Sequence, residues 1–80
     1  MSRILVVDDE LQILRALEMS LRGAGYDVDT ATTGAQALTT AAVNPPDAVI
    51  LDLVLPDARG TDVCRELRTW STVPVIVLSV

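Results

Sequence analysis

Apolar residues follow two rhythms along this chain. Ile4-Leu5-Val6-Val7, Ala48-Val49-Ile50-Leu51 and the final Val75-Ile76-Val77-Leu78-Ser79-Val80 are near-continuous apolar runs rich in β-branched side chains. Such runs are the pattern of strands buried on both faces of a parallel sheet. Between them the spacing becomes helical. Leu11, Leu14, Leu17 and Leu21 recur every three or four positions, Ile13 and Ala16 widen the stripe, and Gly23 and Gly25 supply the stop. Tyr26-Asp27-Val28-Asp29-Thr30-Ala31 alternates polar with apolar, which suits a half-exposed strand near a sheet edge, with Asp27 and Asp29 on the solvated face. Thr32 or Thr33 can cap a second, alanine-rich helix running to about Val43, which Asn44-Pro45-Pro46 must end. Leu53 to Gly60 reads as a loop in which Pro56 fixes φ and Gly60 is free to take a positive one. Thr61 or Asp62 can cap a third helix that turns Val63, Leu67 and Trp70 inward.

The predicted order is β-α-β-α-β-α-β. Strands alternating with helices imply an α/β fold, a doubly wound parallel sheet with right-handed crossovers and helices on both faces. In such sheets ligands sit outside the carboxyl ends of the strands, where strand order reverses. Three aspartates stand at those ends: Asp8 and Asp9 close the first strand, and Asp52 closes the third. If those strands are neighbours, all three carboxylates converge in one crevice, with Ser79 beside them. Ionised carboxylates repel one another, and a hard cation such as Mg²⁺ is the usual neutraliser of such a group.

Composition narrows the function classes. Eighty residues allow one domain, and a chain of that size buries only roughly 60% of its unfolded surface. A net charge of −5 with no lysine argues against direct nucleic-acid binding. No apolar run approaches the roughly 20 residues of a membrane span, and Met1-Ser2-Arg3 does not lead into a signal peptide, so the chain reads as cytoplasmic. The one cysteine, Cys64, shares a helical stripe with Val63 and Leu67 and reads as a small packing residue rather than a reactive thiol. Without histidine there is no His-based metal site or general base.

Val6-Val7-Asp8-Asp9-Glu10, Val49-Ile50-Leu51-Asp52-Leu53-Val54-Leu55-Pro56-Asp57, Gly60 and Pro74-Val75-Ile76-Val77-Leu78-Ser79 together resemble the receiver domain of bacterial two-component response regulators. The spacing from the acidic pair to the single Asp, the Pro four residues beyond it and the Gly eight beyond it carry that resemblance, which covers the whole chain, 1–80. The flavour is that of regulators bearing a winged-helix DNA-binding domain, of the Kdp potassium-transport type. The resemblance implies a flavodoxin-like sheet of strand order 2-1-3-4. It implies Asp52 as the phosphoacceptor for a sensor histidine kinase, and Mg²⁺ held by Asp9, Asp52 and the Val54 carbonyl, with Asp8 acting through water. It implies Ser79 as the hydroxyl that reports phosphorylation to an output domain, and a module that is not itself an enzyme.

Plainer readings exist for each residue. Asp9 and Glu10 can simply favour the first turn of a helix, at about 0.3–1 kcal/mol each, and an aspartate after a strand can be a turn former. An aspartyl-nucleophile phosphohydrolase needs a second aspartate two residues after the first, and Val54 occupies that place. An inert or self-associating fragment is the remaining alternative. A receiver continues through a further helix, strand and helix that bring a phosphoryl-contacting lysine, an aromatic switch residue and a dimerisation surface. Without them, residues 75–80 are expected to form an uncovered apolar edge through which the chain self-associates.

Overall fold

The computed structural model describes residues 2–78, so the Ser79 expectation lies outside the described residues. The elements are β1 (Arg3–Val7), α1 (Leu11–Gly23), β2 (Asp27–Ala31), α2 (Gly34–Val43), β3 (Ala48–Asp52), α3 (Gly60–Arg68) and β4 (Val75–Leu78). The four strands form one parallel sheet in the order β2-β1-β3-β4.

Because successive strand residues face opposite sides, the sheet splits the core in two. Leu5, Val7, Val49 and Leu51 pack with Ala37 and Ala41 of α2 and Val63 and Leu67 of α3. Ile4, Val6 and Val28 pack with Leu14 of α1, bordered by Leu17, Leu21 and Ile50. Leu5, Val6, Val7 and Leu51 are the largest fully buried side chains, each contributing about 1.5–3 kcal/mol by leaving water. The centre of the sheet thus carries the most stabilising burial, and the acids sit where it ends.

Local chemistry sets the boundaries. Thr33 caps α2, its hydroxyl accepting the Gln36 N–H at 3.1 Å while the Gln36 side chain accepts the Thr32 N–H at 3.0 Å. Gly25, the one positive-φ glycine among the described residues at φ 96°, follows the end of α1. Its N–H donates to Arg22 O and the Tyr26 N–H to Leu21 O, both at 3.0 Å, which satisfies two carbonyls at the end of α1.

Several expectations need correction. α3 begins at Gly60 with Arg59 at its N-cap, so neither Thr61 nor Asp62 caps it. Gly60 has no positive φ; it is needed instead because a Cβ there would collide with backbone atoms of Asp52 and Leu53. Asp29 is not merely solvated, since the Arg3 guanidinium pairs with it at 2.9 Å across β1 and β2. Trp70 follows the end of α3 and is 49% exposed rather than turned inward, and Cys64 is only half-buried beside the core. β4 reads as a buried strand by pattern, yet Ile76 is 56% and Val77 46% exposed. β4 is the outermost strand of the described sheet, so one side of it has no neighbour there.

Candidate functional site

The site follows from which strands are adjacent. β1 and β3 pair directly with Val7 opposite Leu51, so Asp8 and Asp52 leave the sheet side by side at its carboxyl end. One carboxylate oxygen from each of Asp8, Asp9 and Asp52 lies within 4.8 Å of the others. They open on a groove of about 670 Å³, walled also by Glu10, Ile13, Leu53, Val54 and Leu78.

The three acids have different surroundings. Asp8 is 3% exposed. Its N–H donates to Ala31 O of β2 at 3.1 Å, and its carboxylate accepts the Glu10 N–H at 2.9 Å, so both backbone and side chain are held. Asp9 faces solvent, and Asp52 is half-buried, its carboxylate accepting the Val54 N–H at 3.3 Å. Ionised carboxylates this close repel one another, and solvent around exposed Asp9 and half-buried Asp52 screens most of that repulsion. Burial of Asp8 leaves less water to relieve that repulsion. Three close oxygens with no cationic partner among the described residues are a donor set for a small divalent ion.

The loop after Asp52 is tightly folded. Val54 and Arg59 form an isolated antiparallel bridge, Leu55 N–H donates to Ala58 O at 3.1 Å, and Gly60 N–H donates to Leu53 O at 2.8 Å. Leu55 anchors the loop in the core at 6% exposure, whereas the Val54 side chain is 74% exposed. Backbone geometry, not side-chain packing, therefore sets where Val54 stands. Its side chain also offers no second carboxylate of the kind an aspartyl phosphohydrolase needs.

Asp57, part of the motif after Asp52, has a contact that its place in the chain does not announce. Its two carboxylate oxygens accept the N–H groups of Gly34 and Ala35 at 2.7 and 3.0 Å, at the start of α2. The Gly34 N–H above all, then that of Ala35, hold its carboxyl below the usual 3.8, against the opposing effect of burial. The partners lie more than 20 positions away in the chain, and no local spacing announces such a contact.

Residues 4–80 match the response regulator receiver domain. The chain belongs to that family. This receiver is 62% identical over 79 residues to the transcriptional regulatory protein KdpE of Mycobacterium tuberculosis, covering 99% of this chain and 35% of that protein. It is 48% identical over 77 residues to the DNA-binding response regulator MtrA of Mycobacterium leprae, covering 96% of this chain and 34% of that protein. The chain thus spans about a third of the length of these curated relatives. Its fold superimposes on the chemotaxis response regulator CheY4 of Vibrio cholerae with a TM-score of 0.93 at 31% identity, covering 96% of this chain and 67% of that one. The strand order 2-1-3-4 expected of a flavodoxin-like receiver is the order observed. Among the described residues no helix is long and apolar enough to cross a membrane.

Proposed function

We propose that residues 1–80 carry the phosphoacceptor unit of a two-component response regulator, with Asp52 as the acceptor. The observation that carries this reading is the convergence of the Asp8, Asp9 and Asp52 oxygens within 4.8 Å at one open groove. Asp52 is the half-buried member, neither sealed in like Asp8 nor fully in solvent like Asp9. Its carboxylate oxygen attacks the phosphorus of a phosphohistidine on a sensor kinase; the P–N bond breaks, the imidazole leaves neutral because its other ring nitrogen already carries a proton, and an acyl phosphate forms.

Asp9, Asp52 and the Val54 carbonyl would hold Mg²⁺ directly and Asp8 would hold it through water, since the close oxygens suit a hard cation of that size. The ion would supply positive charge between the carboxylates and the incoming phosphoryl group. The Val54 N–H on Asp52 orients the carboxylate, and Asp8, held from two sides, keeps the end of β1 in register with it. Ser79 would donate to a phosphoryl oxygen and so report the modification. In this reading the chain is a substrate of its kinase rather than an enzyme, it works in the cytoplasm, and its output is transcriptional.

Acetyl phosphate with Mg²⁺, followed by intact mass, tests the assignment. The chain gains one phosphoryl group, and Asp52→Asn gains none. Labelling of Asp52→Asn to the same extent would remove Asp52 from its role. A further part of the proposal is self-association along β4, whose Ile76 and Val77 face solvent at the outer strand of the described sheet. A monodisperse monomer by light scattering at high concentration would refute it.

A further inference from the structure

We propose that Asp57 is a positioning residue, a latch that fastens the loop after Asp52 to the first turn of α2 and thereby sets where the Val54 carbonyl stands at the acid groove. The inference rests on the metal-binding reading above.

The loop has closures of its own, the Val54–Arg59 bridge and the Leu53–Gly60 hydrogen bond, which make residues 53–60 a compact unit. Those closures fix the loop's shape but not its position on the rest of the fold. Three features attach it. Leu55 enters the core, Ala58 packs against the core's edge, and Asp57 accepts two N–H groups from α2, the one polar and directional tie of the three. A carboxylate accepting two amides at a helix N-terminus is charge-assisted and bidentate, so it restrains orientation as well as distance.

The opposing surface is shaped for this approach. Gly34, the first residue of α2, is buried, and a Cβ on it would meet Val63 Cγ2 at 2.8 Å, Ala58 Cβ at 3.2 Å and Asp57 Oδ1 at 3.4 Å. A side chain there would push away both the loop and α3. The α2 terminus already has its own cap in Thr33, which satisfies the Gln36 N–H. Asp57 therefore adds a tie between distant segments rather than replacing a missing local cap. Val54 has no packed side chain to hold it, so slack at Asp57 passes along the bridge to the carbonyl at the groove.

The test compares Asp57→Ala, Asp57→Asn and Thr33→Ala by ¹H–¹⁵N spectra and Mg²⁺ titration of the chain. Thr33→Ala removes a cap from the same helix end without touching the loop, so it reports what general loosening of α2 does. Asp57→Ala is expected to shift the Asp52 and Val54 amides before any Mg²⁺ is added, and to weaken Mg²⁺ binding about tenfold, the lower range for residues that support metal ligands. Asp57→Asn keeps one acceptor oxygen and should fall between Asp57→Ala and wild type. Thr33→Ala should bind as wild type does. Should Asp57→Ala fail to fold, the Asn variant carries the same comparison. Wild-type affinity in both Asp57 variants, or an equal loss in Thr33→Ala, overturns the latch while leaving the metal site standing. A wild-type chain whose Asp8, Asp9 and Asp52 amides ignore Mg²⁺ overturns both.

Discussion

Replacing Gly60 with alanine measures how tightly the acceptor loop is built. The added Cβ would lie inside van der Waals contact of the Asp52 carbonyl oxygen, 2.9 Å from Leu53 Cα and 3.2 Å from the Asp52 carbonyl carbon. All three are backbone atoms, so no side-chain rotation relieves the clash. The Asp52–Leu53 peptide must move, and the Gly60 N–H bond to Leu53 O, 2.8 Å long, must stretch. Overpacking of this kind costs about 1–3 kcal/mol, with the upper end apt for backbone contacts, and the strained hydrogen bond about 1 kcal/mol more. Alanine returns up to about 1 kcal/mol through helix propensity at the start of α3. The net expectation is a loss of about 2–3 kcal/mol, between about a sixth and three quarters of the roughly 4–12 kcal/mol typical for a chain of this size. Urea unfolding measures that loss, and a Mg²⁺ titration reads the displaced Asp52. Gly23→Ala is the matched control. It lies at the end of α1, where an added Cβ would have nothing within 4 Å, so it should gain about 0.5–1 kcal/mol. A Gly60→Ala protein as stable as Gly23→Ala, with an unchanged Mg²⁺ midpoint, would refute the close-approach argument.

Other expectations follow from the same geometry. Asp52→Asn removes one charge from a group of three, and in metal-free buffer it should raise stability by about 1 kcal/mol once solvent screening is counted, read as a higher urea midpoint; a lower midpoint would mean the carboxylates do not repel in the fold. Asp57 has a depressed folded-state pKa, so its contribution to stability is present above 3.8 and is lost as pH falls through the lower folded value. The Gly34 amide shift, followed through an acid titration, should report that midpoint, and a midpoint at or above 3.8 would contradict it. Ile76→Lys places a charge on the exposed outer strand and should lower the apparent mass in light scattering without changing Mg²⁺ affinity.

Much of this fold is legible because its strongest signals are local. The runs Ile4–Val7 and Ala48–Leu51 form the two central strands; the first is buried throughout, whereas the second buries Val49 and Leu51 and leaves Ala48 and Ile50 half-buried. The leucine stripe turns α1 toward the sheet from Leu14 to Leu21, while Leu11 and Ile13 at its start are exposed. Tyr26 to Ala31 contains the outer strand β2 as expected, but its two buried residues, Val28 and Ala31, pack on opposite faces of the sheet, so the alternation does not describe which residues it buries. Errors gather where a neighbour distant in sequence decides. The pattern of Val75 to Leu78 records only apolarity, while its exposure depends on what lies beyond β4. Trp70 is apolar by type, but α3 ends at Arg68 and releases it. Gly60 invites a positive φ by residue type, whereas the need there is room for the Asp52 carbonyl.

The candidate site divides in the same way. The positions of Asp8, Asp9 and Asp52 at the carboxyl ends of strands are legible along the chain, since strand burial and its termination are written in contiguous residues. The chain also carries the spacing of Pro56 and Gly60 that marks the family. That β1 and β3 are adjacent with Val7 beside Leu51, which turns three separate acids into one group, comes from the packing of the folded chain. That packing alone seals Asp8 while leaving Asp9 in water, and it alone brings Asp57 to the start of α2. Periodicity reports how each segment meets a core, but the partner of a segment is chosen by the packing of all of them at once.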